Sequence, residues 1–476
     1  MFFVCYLIFK FAPFKYVNYF LIISSYNMSK DIRIKKGLDL KLVGDAETKV
    51  DVTSRSQVYS IKPSDFHKVT PKLVIKEGAE VKAGEVIFYS KNDQAVEFVS
   101  PVSGKISEIK RGEKRVILEI NILSDAQDIF VEHGIKNPNE MSAEQVKSHL
   151  LSSGCWPFIK QRPYDVVANS SDSPKAIFVS AFNSAPLSSD VEIALKDKLV
   201  SFQAGIDALS KLTQGKVHLS VSGRVNSIFS SVSGVELHKV FGPHPAGNVG
   251  VQISQIDPIN LGEKVWIVAP QDVAIIGDLF LTGKFVANKT IALSGSEVSK
   301  PQYFTVRIGA QMKDIITGKL ISDNVRIISG DVFTGDKVSA NGNLGYYANT
   351  VTVIPEGNQY RMFGWMPFAA ANKHSMQRTA LSWLTPGKRY VADTNLNGEE
   401  RALVVTGEME KVMPLDIYPM QLLKACLAND IDKMESLGIY EVAPEDFALI
   451  DYTNTSKLEA QVIIREALDL MINEVG

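Results

Sequence analysis

Between Gly78 and Gly104 apolar and polar residues alternate, with Val86, Phe88, Val96, Phe98 and Val102 on the apolar beat. The run is bounded by two turn signals, E-G-A-E-V-K-A-G-E at Glu77–Glu85 and S-P-V-S-G at Ser100–Gly104. Period two between Gly and Pro punctuation predicts short strands of a compact β-sandwich. Upstream, Ile32 and Ile34, then Leu38, Leu40 and Leu42, predict two short strands either side of Gly37. From Val131 the pattern changes. Ser142-x-x-Gln145 is a capping box that opens a helix. Ala176–Phe182 (AIFVSAF) is a continuous apolar run of the kind found in buried parallel strands. Asp190 then precedes Val191, Leu195, Leu199, Phe202, Ile206, Leu209 and Leu212, whose spacing predicts one long amphipathic helix. Val217–Val221 and Val265–Ala269 predict two more strands. Strands alternating with helices imply a doubly wound, Rossmann-like layer.

Beyond it, a strand at Thr305–Ile308, a helix from near Ala310 and strands at Val325–Ser329 and Thr350–Ile354 suggest a small β-grasp unit. Met312, Ile315, Ile316 and Leu320 fall on one face of that helix. The C-terminal part predicts helices at Met420–Leu427, Ile431–Leu437 and Leu458–Val475. The last carries Leu458, Val462, Ile463, Leu468 and Met471 as its apolar face. The expected organisation is an α/β multidomain chain. It has an extension at 1–27, a β domain at 28–130, the α/β domain at 131–300, the β-grasp domain at 301–355 and a mostly helical region at 356–476.

Composition narrows the function. The chain has 476 residues, enough for several cores, and a net charge of −2 lacks the basic excess of a nucleic-acid binder. Cys5, Cys155 and Cys426 are far apart, which excludes a disulfide framework and any C-x-x-C metal or cluster pair. Residues 1–27 are rich in Phe, Tyr and Ile, but Lys10, Pro13 and Lys15 break the apolar run that a spanning helix needs. They are read as sequence upstream of a start at Met28, with membrane attachment or a cleaved signal as the alternatives. No small-x-small cleavage site follows the run.

Candidate chemistry is sparse. FGPHPAGNVG at Phe241–Gly250 spaces its glycines G-x-x-x-x-G-x-x-G, which misses the dinucleotide fingerprint. It misses the P-loop as well, because Asn248 stands where lysine is needed. A stiff structural or interface loop is the favoured reading. His244 within it titrates in the range useful for proton handling. Without a Cys, Asp or Glu at close spacing, a structural histidine is favoured. Lys35 and Lys36 beside Gly37 could line an anion or quinone site, or simply face solvent. Lys373, His374 and Arg378 with Trp365 and Trp383 could meet an anionic or aromatic ligand; a contact with another protein chain is preferred, since Trp and Arg favour interface hot spots. No catalytic residue and no metal-ligand motif is read.

The hairpin at 78–104 resembles the biotinyl/lipoyl domain family, whose hairpin tip presents a lysine for cofactor attachment. That lysine falls where this chain has Gln94, and Lys91 sits three residues early. An amide cannot act as the amine nucleophile, so the module is expected to be a carrier fold without a carried group. Thr305–Gly335 resembles the β-grasp SLBB domain. Taken together, IKKGLDL, the unmodified hairpin, RGEKRVILEI (Arg111–Ile120), GPHPAGNVG, RIISG (Arg326–Gly330) and KVMPLDIYP resemble the A subunit of the sodium-translocating NADH:quinone oxidoreductase. The resemblance runs from about Met28 to the C-terminus. The architecture is also similar to the flavin-and-iron–sulfur subunit of respiratory complex I and its counterpart in the Rnf-type complex. Those relatives ligate clusters through cysteines; Asp451–Lys457 (DYTNTSK) offers no thiol here.

The resemblance implies a peripheral subunit on the cytoplasmic side of a bacterial inner membrane. Its complex would reduce ubiquinone or another quinone with NADH and export sodium. NADH, flavins and an iron–sulfur cluster would belong to partner subunits, this chain binding no cofactor alone and having no activity in isolation. Lys35, Lys36 and His244 are its candidate quinone contacts. A cofactor-free ligand-binding or scaffold protein, or an Rnf-type electron-transfer subunit, are the alternatives.

Overall fold

A computed structural model describes residues 31–359, 373–376 and 381–475. The extension 1–27, Trp365 and Arg378 lie outside the described residues. The predicted parallel strands form at Ile177–Ala181, Val217–Ser222 and Val265–Val268, and a fourth that the sequence reading missed forms at Glu236–Phe241. They are the middle of a seven-stranded sheet, with Ile159–Arg162 and Val166–Val167 added antiparallel at one edge. Both faces of the sheet are covered, which is why Ile177–Ala181 and Val265–Val268 read as apolar on nearly every position. Val217, Leu219 and Val221 face helices Leu199–Ser210 and Pro270–Thr282. On the opposite face, helix Val249–Ile256 packs on Phe178 and Val265. The capping box opens helix Ala143–Ser152: the Ser142 hydroxyl accepts from the Gln145 N–H, and the Gln145 amide oxygen accepts from the Ser142 N–H.

Several expectations change. Asp190 does cap a helix, but the stretch behind it is two helices, Val191–Ala194 and Leu199–Ser210, interrupted by Lys196–Asp197–Lys198. These three charged residues need solvent, so the chain turns there instead of continuing across the sheet. Of the two strands expected around Gly37, Asp31–Arg33 forms, and it pairs parallel with Glu236–Phe241 as the other edge of the α/β sheet. Leu40 and Leu42 do not form a strand. Leu42 makes one bridge to Tyr390, and both leucines are buried against Leu187 and Tyr390. Glu47–Val52 joins the β-grasp sheet, parallel to Gln302–Arg307. The segment 31–52 thus ties two later sheets together.

The β-sandwich proper has a four-stranded sheet (Val58–Ile61, Ile117–Ser124, Gly104–Arg111, Glu80–Val81) over a three-stranded one (Pro71–Leu73, Val86–Ser90, Glu97–Val99). The predicted apolar beat fills its core: Phe88 and Phe98 stack at 4.4 Å, with Phe66 against them. The β-grasp sheet has six strands, and its helix is shorter than predicted, Met312–Ile316. The return through Gly330 and Gly335 first makes the short strand Asp336–Val338, then Thr350–Pro355. Helices Pro419–Leu427, Ile431–Ser436, Ala448–Thr453 and Ala460–Glu474 build the C-terminal core, which includes Ile32, Ile34, Val240 and Val251. That core leans on the α/β sheet through Arg162, buried at the sheet edge and paired with Asp446 (2.8 Å) and Glu445 (2.5 Å). Val462, placed on the apolar face by spacing, is exposed; Ile464 and Ala467 fill that face.

Candidate functional site

In open α/β sheets, ligands bind beyond the carboxyl ends of the strands. Here those ends border a cleft of about 430 Å³. The loop after Ile177–Ala181 supplies Asn183, Ser184 and Ser188. The turn after Val217–Ser222 supplies Arg224, and Gly242 follows Glu236–Phe241. The other wall is Asp39–Leu42, with Asp45 and Arg389 at the rim. Arg224 donates to the Gly242 carbonyl at 3.0 Å and lies 3.8 Å from Asp39, while Arg389 pairs with Asp45. The cleft therefore presents guanidinium and hydroxyl donors over a partly apolar floor of Ala181 and Leu187. Asp39, Asp45, Asp190 and Glu192 also line it and balance the cations, so the surface suits a neutral acceptor.

Behind this wall the structure brings two sequence motifs together. The Ile34 N–H donates to Phe241 O (2.8 Å) and the Leu38 N–H to His244 O (2.8 Å), so IKKG lies directly against GPHP. The His244 N–H donates to Asp39 Oδ1 at 2.8 Å. Its ring is buried, stacked on Phe333 at 5.0 Å, with Nδ1 3.0 Å from Ser184 Oγ. Burial pushes the imidazole down to about 4, the nearby Asp331 and Asp39 opposing it, so the ring is neutral at pH 7. Nε2 is buried and makes no hydrogen bond among the described residues.

Lys35 and Lys36 are exposed and lie outside the cleft lining; Asp39, three residues after Lys36, is in it. Asp39, Ser184 and Arg224 carry no sequence signal that singles them out. Each is an ordinary polar residue near a strand end, and the topology that gathers them is not local. The segments of His374 and Trp383 are joined by Ser382, whose Oγ accepts from the Ser375 N–H at 3.0 Å. Lys373 bonds Asn397, His374 meets Tyr390 edge-on at 5.7 Å, and Trp383 is half exposed.

The carrier-like hairpin is held down at its tip. Gln94 and Lys91 are exposed, but between them Asp93 accepts from the Ser170 N–H (2.6 Å) and hydroxyl (2.9 Å) of the α/β domain. A swinging arm needs a free tip, and this one is docked. Cys155 and Cys426 are buried, and burial pushes both thiols up to about 12, which leaves them protonated and inert.

Family profiles match three parts of the chain. The NqrA N-terminal barrel-sandwich hybrid domain covers residues 32–125, the NqrA second alpha/beta domain 141–285, and the NQRA C-terminal domain 290–340. Over 440 residues the chain is 36% identical to the A subunit of the Na(+)-translocating NADH-quinone reductase of Yersinia pestis bv. Antiqua (strain Angola), spanning 92% of this chain and 98% of that protein. The chain belongs to the NqrA family, the A subunits of Na(+)-translocating NADH-quinone reductases. The NqrA protein of Neisseria meningitidis serogroup B is 35% identical over 446 residues (93% of this chain, all of that one). That of Marinomonas sp. is 34% identical over 445 residues (93% and 99%). The resemblance expected from the scattered motifs holds, and so does the expected fold class. Among solved structures, a chain of an NAD+-reducing [NiFe]-hydrogenase overlaps at TM-score 0.36 and 12% identity, over 73% of this chain and 66% of that one, too weak a likeness to argue from.

Proposed function

We propose that this chain is the peripheral NqrA component of a sodium-translocating NADH:quinone reductase, at the cytoplasmic face of a bacterial inner membrane, and that its cleft receives the quinone headgroup. Flavins, NADH and the iron–sulfur cluster are assigned to partner subunits. No helix among the described residues is long and apolar enough to cross a membrane.

The observation that carries the quinone assignment is the pairing of Ser184 with His244 at the cleft wall. Ser184 Oγ accepts from the Gly247 N–H at 2.8 Å. If Nδ1 carries the ring proton, Oγ accepts from it too, and the serine hydrogen is free to point into the cleft. That tautomer leaves Nε2 as a bare buried lone pair, a smaller cost than a buried N–H without an acceptor. Ser184 and Arg224 then offer two donors to a carbonyl ring, which needs few polar groups to orient it. His244 acts as a positioning residue, and Lys35 and Lys36 add positive charge outside the mouth.

The assembly role rests on a second groove of about 570 Å³ on the outer side of helices Leu199–Ser210 and Pro270–Thr282. Ile135, Val200 and Leu281 line it and are exposed, an apolar surface of the sort that partner subunits cover. Steady-state kinetics of the assembled complex test the quinone site. Arg224→Ala and Ser184→Ala should raise the quinone KM about tenfold each, the loss of one hydrogen bond, with NADH oxidation by an artificial acceptor unchanged. An unaltered KM in both would remove the cleft from the quinone path.

A further inference from the structure

Away from the cleft, three side chains converge as metal ligands would. His218 and Glu236 are direct partners on neighbouring parallel strands, and His238 follows Glu236 by two positions, so all three project from the same face of the sheet. The alternate residues Val217, Leu219 and Leu237 face the apolar core on the other side. A strand covered on both faces normally carries apolar residues at every position. VHLSVS and ELHKVF depart from that rule, and on one face they carry His218, Ser220, Ser222, Glu236 and His238, two of them imidazoles beside a carboxylate. His218 and His238 are each 6% exposed.

His218 Nδ1 lies 3.0 Å from His238 Nε2 and 3.5 Å from Glu236 Oε2, and the three donor atoms are all within 4.8 Å of one another. In a tetrahedral zinc site with bonds of about 2.0–2.1 Å, adjacent donors stand about 3.3 Å apart. The ligands are also held from behind. Lys216 pairs with the other Glu236 oxygen, Oε1, and leaves Oε2 turned to the histidines. The His218 ring stacks on Phe178 at 4.8 Å and 23°. Outer contacts of this kind fix ligand orientation in metal sites.

We propose that His218, Glu236 and His238 form a binding site for a divalent transition metal of the zinc type, with water completing the tetrahedron. Two imidazoles and one carboxylate are the donor set of Zn2+ and its neighbours and are foreign to Ca2+ or Mg2+, which take oxygen ligands. The site sits toward the amino ends of strands whose carboxyl ends border the cleft. Ser222 lies four residue steps along the strand from His218, about 13 Å. A metal there would staple two adjacent strands and take no part in the cleft.

The test titrates the full chain, stripped with chelator and then freed of it, with Zn2+ in a calorimeter. One equivalent should bind in the wild type. Glu236→Gln and His238→Gln should weaken it more than about 100-fold, beyond the effect of losing an outer contact. His67→Gln, at a histidine elsewhere in the fold, should leave it unchanged. Circular dichroism in chelator checks that each variant is folded. Glu236 is 24% exposed and its amide is nearly isosteric, so that variant reads the site even where His238→Gln misfolds. Co2+ added to the wild type should give the visible bands of tetrahedral coordination and be displaced by Zn2+. No tight equivalent in the wild type, or equal binding in Glu236→Gln, would overturn the proposal and leave a hydrogen-bonded histidine pair.

Discussion

Gly37 has a φ of +138°, and a Cβ at that position would lie 2.1 Å from the His244 carbonyl oxygen. Gly242 is its counterpart across the contact, with φ +146° and the Ile34 carbonyl 2.5 Å from where its Cβ would be. These two glycines let the IKKG and GPHP backbones touch, and that contact places Asp39 on the cleft wall. Gly37→Ala should therefore destabilise the chain by about 2 kcal/mol and disturb the cleft, read as a lower melting temperature. Two buried histidines set a pH dependence. His244 and His149 are both held near 4 by burial, from an ordinary 6.5. Below pH 6.5 the unfolded chain binds protons that the folded chain refuses, so stability falls as pH drops from 6.5 towards 4. The wild-type melting temperature should decline between pH 7 and 5, and His149→Gln with His244→Gln should flatten that slope. A slope unchanged by the double substitution would contradict the assignment of neutral, buried rings.

The hairpin at 86–99 shows what can and cannot be read at the level of an element. Its alternation and turns are local, and each has its counterpart in the fold. The docking of its tip is not legible, because Ser170 lies 77 positions from Asp93. Asp93→Ala removes a carboxylate that accepts two hydrogen bonds from Ser170 and one from the Ala95 N–H, and should cost about 1.5–3 kcal/mol of stability. Gln94→Lys, on the exposed turn beside it, should leave the activity of the assembled complex intact, and the intact mass should show no added lipoyl or biotinyl group. The broken helix at 195–198 escapes the sequence for a related reason. Helical spacing of Leu195 and Leu199 fits one face, while the cost of burying Lys196, Asp197 and Lys198 is felt only once the sheet beneath is in place.

At the scale of the whole molecule, the domains are legible as a series because each keeps its own apolar period, but their joints are not. Segment 31–52 supplies edge strands to two sheets, and nothing in its short alternation says which sheet they complete. The cleft suffers the same limit: Asp39, Ser184, Arg224 and Arg389 come from four distant segments, and the crossing of the strands alone collects them. Of the residues chosen from sequence, His244 stands behind the wall and Lys35 and Lys36 outside it. The central claim is that a quinone headgroup occupies this cleft. Photoaffinity labelling of the assembled complex with a quinone analogue, followed by peptide mapping, tests it most directly. Label on the segments 181–190 and 222–225 of this chain, displaced by excess quinone and lost in Arg224→Ala, is the expected result; label confined to other subunits, or undiminished in Arg224→Ala, would contradict it.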